Sequence, residues 1–182
     1  MGLDMYLDVR RSVYQSDSEE TAKLKAFMQN EMSGSCLPNA DPSDDVFHIG
    51  QRVAYWRKAN AIHAWFVNNV QDGVDECQES YVGRKHLLEL VEKCSTVLDK
   101  LNPVFQKSYD NDEWEGGATD VVSEVAEVLP PCSGFFFGST DIDMYYYHQV
   151  RYTHDRIKEL LEWLDKEHSE GRWWYVTYQA SW

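Results

Sequence analysis

A chain of 182 residues fits one domain, spanning 1–182, and is long enough to bury a substantial core. Its hydrophobic share of 43% excludes a disordered tail. Thirty-one acids against 17 Lys and Arg give a formal charge of −14, which argues against a direct grip on nucleic acid or on anionic membranes.

The first segment, Gly2–Tyr14, alternates Leu3, Met5, Leu7 and Val9 with Asp4, Tyr6 and Asp8, and this period of two predicts a half-buried strand. Ser16–Met32 opens with acids at SDSEE and reads as a helix. Ser33–Asp45, with Gly34, Pro38 and Pro42, reads as a loop. A second helix is expected over Val53–Val70, ended by the turn Gln71–Gly73. The third is expected from about Val82 to Leu101, with Leu87, Leu90, Cys94, Val97 and Leu101 on its buried side and Pro103 as its stop.

Asn102–Gly117 is polar and acidic, an expected exposed excursion. A short helix over Asp120–Leu129 stops at Pro130-Pro131. Ser133–Thr140 (SGFFFGST) reads as a short apolar strand, after which Thr140 and Asp141 would cap a long helix, Ile142–His168, ended by Gly171. Trp173–Trp182 is a β-branched and aromatic closing strand. The sum is an α+β fold with about five helices on a small, mainly antiparallel sheet that includes both terminal strands.

Cys36, Cys77, Cys94 and Cys132 show no C-x-x-C pair, and the histidines show no paired metal spacing, so no metal and no cofactor is expected. Met1–Arg11 holds acids where a signal peptide needs a basic start, and no apolar run reaches 18 residues. A cytoplasmic protein with reduced thiols is the expectation.

The expected second helix carries an anomaly. On a helical wheel Asn60 and His63 fall among Tyr55, Trp56, Ile62 and Phe66, with Arg57 and Asn68 at the edge of that arc. Buried amides and imidazoles need partners. Either neighbouring strands or waters supply them, or the arc floors a pocket. In a pocket, Tyr55 or Trp56 would stack on a planar ligand, Arg57 and Lys58 would meet its anionic groups, and Asn60 and His63 would read its polar edges. The acids of Gln71–Glu79 suit either a cation or, more simply, a solvated turn without an EF-hand pattern. Ser139 and Thr140 stand at a helix start, where free N–H groups attract anions, although capping explains them too.

The blocks MGLDMYL, VAYWRKANAIHAWFVNNVQDGVDEC and SGFFFGSTDIDMYYY resemble a family of phage and prophage proteins of unassigned function. They cover about a third of the chain. The resemblance implies a setting, the host bacterial cytoplasm during infection, where small acidic proteins often block host defences; it transfers no catalytic residue. Three readings follow. The first is a non-enzymatic accessory protein that binds a small anionic, nucleotide-like ligand. The second is an acidic, DNA-mimic-like inhibitor that binds a basic host protein surface. The third, resting on His63 with a carboxylate and no motif, is an enzyme. Oligomeric state stays open.

Overall fold

The computed structural model describes residues 2–14, 46–111 and 119–182, with the isolated positions 19, 22, 23 and 26. The helix expected over 16–32, those four positions apart, and the loop expected over 33–45 lie outside the described residues.

Alternation builds the first strand as expected. In β1 (Asp4–Tyr14) Met5 and Leu7 are fully buried, as is Leu3 just before it, and Val9 nearly so. The closing strand β4 (Tyr175–Ser181) pairs antiparallel with it, setting Met5 opposite Ala180, Leu7 opposite Tyr178 and Val9 opposite Val176. All six side chains share the inner face, and a one-residue slip would turn them to solvent. Two further strands, β2 (Val46–Arg57) and β3 (Ser80–Val82), complete an antiparallel sheet in the order β2-β1-β4-β3. The helices among the described residues are α1 (Asn60–Val70), α2 (Arg84–Asn111), α3 (Thr119–Val128) and α4 (Met144–Ser169). The fold is therefore α+β and includes both terminal strands, with four helices described where about five were expected.

The second helix is the main correction. Val53–Arg57 is strand, and helix begins only at Asn60. Cross-strand pairing overrides the helical spacing: Ala54 and Trp56 lie opposite Leu7 and Met5 and join the inner face. Between Leu7 and Asp8 the register shifts, leaving Val53 as a bulge without a β1 partner. Lys58, with a positive φ of 56°, then turns the chain into α1.

As an edge strand, β2 exposes one row of backbone groups, and α4 covers part of it. Arg156 donates from Nε (3.1 Å) and a terminal nitrogen (2.8 Å) to the carbonyl of the bulged Val53. Tyr152 accepts from the Tyr55 amide at 3.3 Å, and Tyr145 donates to the Arg57 carbonyl. Positions 145, 152 and 156 share one helix face, and they meet every second residue of the strand.

Three other expectations change. Residues 80–82 pair with β4, so α2 starts at Arg84, and it runs through Pro103 to Asn111. Leu101 and Phe105 are both buried around that proline, and Phe105 packs on Tyr147 at 5.0 Å; this packing outweighs a proline cost of about 3 kcal/mol. The expected excursion over 102–117 is thus helical as far as Asn111. SGFFFGST is a loop and not a strand, because it curls on itself. A Cβ on Gly134 would lie 2.4 Å from the Phe137 ring, and the Phe137 amide bonds the Gly134 carbonyl. Finally, Asp143 and not Thr140 or Asp141 caps α4, its carboxylate accepting from the Tyr146 amide at 2.9 Å.

Aromatic rings fill the space between sheet and helices: Phe66 stacks on Tyr178 at 3.9 Å, and Trp56 donates its indole N–H to Thr153 at 2.8 Å. Among the described residues no helix is long and apolar enough to cross a membrane. The sheet's outer face is polar, with the Arg52 guanidinium 4.0 Å over the Tyr6 ring and bonded to Asp8.

At the C-terminal end of α4, Glu167 receives Arg172 Nε at 2.6 Å and the Trp174 indole at 2.9 Å, tying the helix to the start of β4. The Arg172 guanidinium holds the Glu167 carboxyl down at about 2, against burial, which raises it. A carboxyl lowered on folding stabilises fully above its unfolded value near 4.5, and that contribution is lost as pH falls through about 2. Glu167→Gln is therefore expected to lower stability by about 1–3 kcal/mol at pH 7, measured by urea denaturation, with the gap to the parent closing toward pH 2. A gap independent of pH would contradict this account.

Candidate functional site

α1 begins just beyond β2, and its first turn is held by neither Ser, Thr, Asp nor Asn at the cap. Ala59 occupies that position and supplies no side-chain bond. The Lys58 amide bonds the Leu3 carbonyl at 2.7 Å, so the helix start is docked on the first residues of the sheet.

Asn60 is buried and well satisfied. Its amide nitrogen donates to the carbonyls of Phe137 (3.2 Å) and Ser139 (2.7 Å), and its oxygen accepts from the Cys132 amide (3.2 Å). One side chain thus closes both ends of the SGFFFGST loop. His63, 1% exposed, lies at bonding distance from two side chains: Nδ1 is 2.7 Å from the Tyr178 hydroxyl and Nε2 is 2.9 Å from Asp75. A carboxylate only accepts, so the tautomer with hydrogen on Nε2 satisfies all three groups. Asp75 also accepts the Trp182 indole at 3.1 Å, and the His63 ring meets the Phe137 ring at 5.1 Å, near perpendicular. Burial, with Asp75 and Cys77 adding to it, pushes the Tyr178 phenol well above its ordinary value. The carboxylate partner for His63 is present, yet both ring nitrogens are occupied and the ring is sealed. It has no lone pair to offer an incoming substrate.

The remaining candidates separate. Trp56 is 1% exposed and offers no stacking face. Tyr55 sits on the outer face of the sheet, its hydroxyl on Asp4 and its ring 5.7 Å from that of Tyr6. Asn68 is exposed, about 12 Å along α1 from Asn60 at 1.5 Å per residue. Thr140 is exposed, and the Ser139 hydroxyl is bonded to Asp141 at 2.6 Å. Asn60 and Ser139 are brought together, and Arg57 lies apart beside Gly2 and Tyr145; Trp56 and His63 belong to the interior.

At this junction lies a cleft of about 30 Å³, lined by Lys58, Ala59, Ile62, Ser139, Asp141 and Tyr145. That volume admits one small group and does not enclose a ring. Beside it Arg57 and Lys58 converge. A Cβ built on the buried Gly2 would meet Lys58 Cε at 3.6 Å and the Arg57 guanidinium at 3.7 Å, so both cationic side chains lie over one point. Neither has an ion pair among the described residues. Asp4, directly across from Arg57, gives its carboxylate to the Tyr55 hydroxyl. That bond, then burial, raises the Tyr55 phenol; burial raises that of Tyr145, and Arg57 pulls both back down. The helical reading missed Gly2 and Tyr145 and gave Lys58 the wrong neighbours. The available signal was the run Tyr55–Lys58 at the end of an alternating segment.

Two other places hold less. A groove of about 230 Å³ runs between Val9, Val53, Leu160 and Trp163, but its cation, Arg156, is engaged by Val53 and Glu159. The carboxylates of 71–79 diverge, Asp75 inward to His63 and Glu79 to Arg10, and no group of three metal-ligating side chains occurs among the described residues. Compared with known proteins, the chain matches no family model, no curated protein and no solved structure.

Replacing Asn60 by Ala leaves two carbonyls and one amide of the loop without partners. A loss of about 1–3 kcal/mol is expected by urea denaturation, with faster hydrogen exchange at Cys132. A loss below ~0.5 kcal/mol, the level of an ordinary surface change, would show that the loop is held by other means.

Proposed function

We propose that this protein binds a small anionic, nucleotide-like ligand and performs no chemistry on it, as an accessory protein of phage type that counters a host defence. The observation that carries the reading is the convergence of Arg57 and Lys58 over Gly2 without a carboxylate partner, in a chain of net charge −14. Arg10, Arg52 and Arg84, by contrast, are neutralised by Glu79, Asp8 and Asp165. Like charges brought together repel, and an anion between them removes the repulsion.

The neighbourhood suits such a ligand in a second respect. Tyr145 and Tyr55 are half exposed beside Arg57, and Phe135 is 92% exposed at the tip of the loop that Asn60 closes. Planar rings next to guanidinium groups are a common surface for a base. Asp141 and Asp143 also border the cleft and repel an anion there, so the anion is placed over Gly2 and a hydrogen-bond donor of the ligand faces the carboxylates. A nucleotide carries both an anion and exocyclic donors. The alternative of an acidic surface that meets a basic host protein rests on net charge alone, since Asp8, Glu79 and Asp165 already face arginines.

The test is thermal melting with inorganic phosphate, AMP, ADP-ribose and a cyclic dinucleotide, for the parent and for a variant combining R57A with K58A. At a hundredfold excess over Kd a binding ligand is expected to raise the parent's Tm by about 5–10 °C and to leave the double variant unmoved. Equal shifts in both proteins, or none in the parent with any ligand, would remove the proposal.

A further inference from the structure

We infer that Lys58 is the residue that contacts the anion and that the group it contacts is a terminal phosphate; this rests on the binding reading above. Lys58 has φ of 56°, a left-handed state that L side chains rarely adopt and that glycine adopts freely. Asp72 and Cys77 adopt the same left-handed state elsewhere in this chain, so the turn by itself does not require a lysine. A lysine here keeps the turn and adds a cation.

The surroundings aim that cation. Gly138, with φ of 87°, faces the lysine stem: a Cβ built there would meet Lys58 Cβ at 3.2 Å, Cδ at 3.4 Å and Cγ at 3.7 Å. The stem's far end, Cε, lies 3.6 Å from the Cβ position of Gly2. The side chain therefore runs along Gly138 and ends over Gly2, beside the Arg57 guanidinium. Two glycines from distant parts of the sequence leave the channel that it occupies. The Lys58 amide, bonded to Leu3 at 2.7 Å, fixes the other end. The result is an ammonium whose position is set by backbone, which is what a strained residue at a binding site provides.

Charge and size then name the ligand class. Over Gly2 itself the two cations match two negative charges, while Asp141 and Asp143 keep an anion out of the neighbouring cleft. A terminal phosphate carries about 1.5–2 at neutral pH, whereas a phosphodiester carries one. An ammonium offers three donors without a preferred plane and a guanidinium offers a planar fork, and together they suit a tetrahedral dianion. The cleft of about 30 Å³ takes no ring, so the rest of the ligand lies on the surface toward Tyr145.

The experiment is isothermal titration of the full chain with AMP, cyclic AMP and adenosine, using the parent, K58A, K58G and R57A, together with melting of each protein alone. Expected are binding of AMP to the parent, no binding of adenosine, and affinity for cyclic AMP about tenfold weaker. K58A and K58G are each expected to lose AMP affinity by about tenfold or more. K58G should melt about 2–4 °C above K58A, because only the glycine relieves the left-handed strain. AMP affinity kept within about twofold in both Lys58 variants while R57A loses it would overturn the role of Lys58 and leave the binding reading standing. Equal affinity for AMP and cyclic AMP would overturn the terminal phosphate. A parent that binds none of the three would remove the binding reading itself.

Discussion

Two polar side chains that cannot reach water organise the molecule. Asn60 and His63, one turn apart on the inner side of α1, must find partners inside the protein, because an unpaired buried amide or ring nitrogen costs about 1–3 kcal/mol. Their partners come from places remote in sequence. Asn60 takes the loop 132–139, and His63 takes Asp75 and Tyr178, with Trp182 joining through Asp75. One short helix thereby locates the second half of the chain against the first. Phe137, held by its carbonyl on Asn60 and by its ring on His63, is where the two networks meet.

The same logic governs the far side of the sheet. A long edge strand with a bulge leaves a carbonyl pointing outward, and α4 brings an arginine fork to it. Tyr145 and Tyr152 extend this cover toward the end of β2, so the helix acts on that edge through side chains where a fifth strand would act through backbone. Because Tyr145 bonds the carbonyl of Arg57, the cover also fixes the last residue before the turn. The edge protection and the cationic corner therefore share a residue.

Much of this fold was legible in the sequence, and the failures share a cause. β1 and β4 declared themselves by strict alternation, and α4 by its stripe of Tyr146, Val150, Ile157, Leu160 and Leu164, all buried in the structure. The stretch from Val46 to Arg57 did not, because its bulge breaks the alternation at Val53 and lets the apolar residues mimic helical spacing into Asn60–Val70. Pairing with β1, a contact 32 to 53 residues away, decided the matter. Pro103 misled for a similar reason: local propensity stops a helix there, and tertiary packing of Leu101 and Phe105 carries it on. The demand of Asn60 and His63 for partners was readable; that the chain itself meets the demand was not, since the partners lie 12 to 115 residues away.

The surface corner differs from that buried pair by the same physics. A satisfied group has nothing left to offer a ligand, and by this measure Asn60, His63, Trp56 and Tyr178 are closed. What stays open is a pair of exposed cations, both lying over Gly2, whose like charges repel. A left-handed lysine adds roughly 1–2 kcal/mol of backbone strain. Both terms oppose folding; the Lys58 amide on the Leu3 carbonyl and the Tyr145 hydroxyl on the Arg57 carbonyl hold the backbone against them, while the two cationic heads have no ion pair among the described residues. The two costs fall on adjacent residues, and the anion proposed to bind there would relieve the repulsion. Asn60 connects the two layers of the argument. By closing the loop it sets Gly138 against Lys58, so the buried network, inert itself, shapes the corner where binding is proposed.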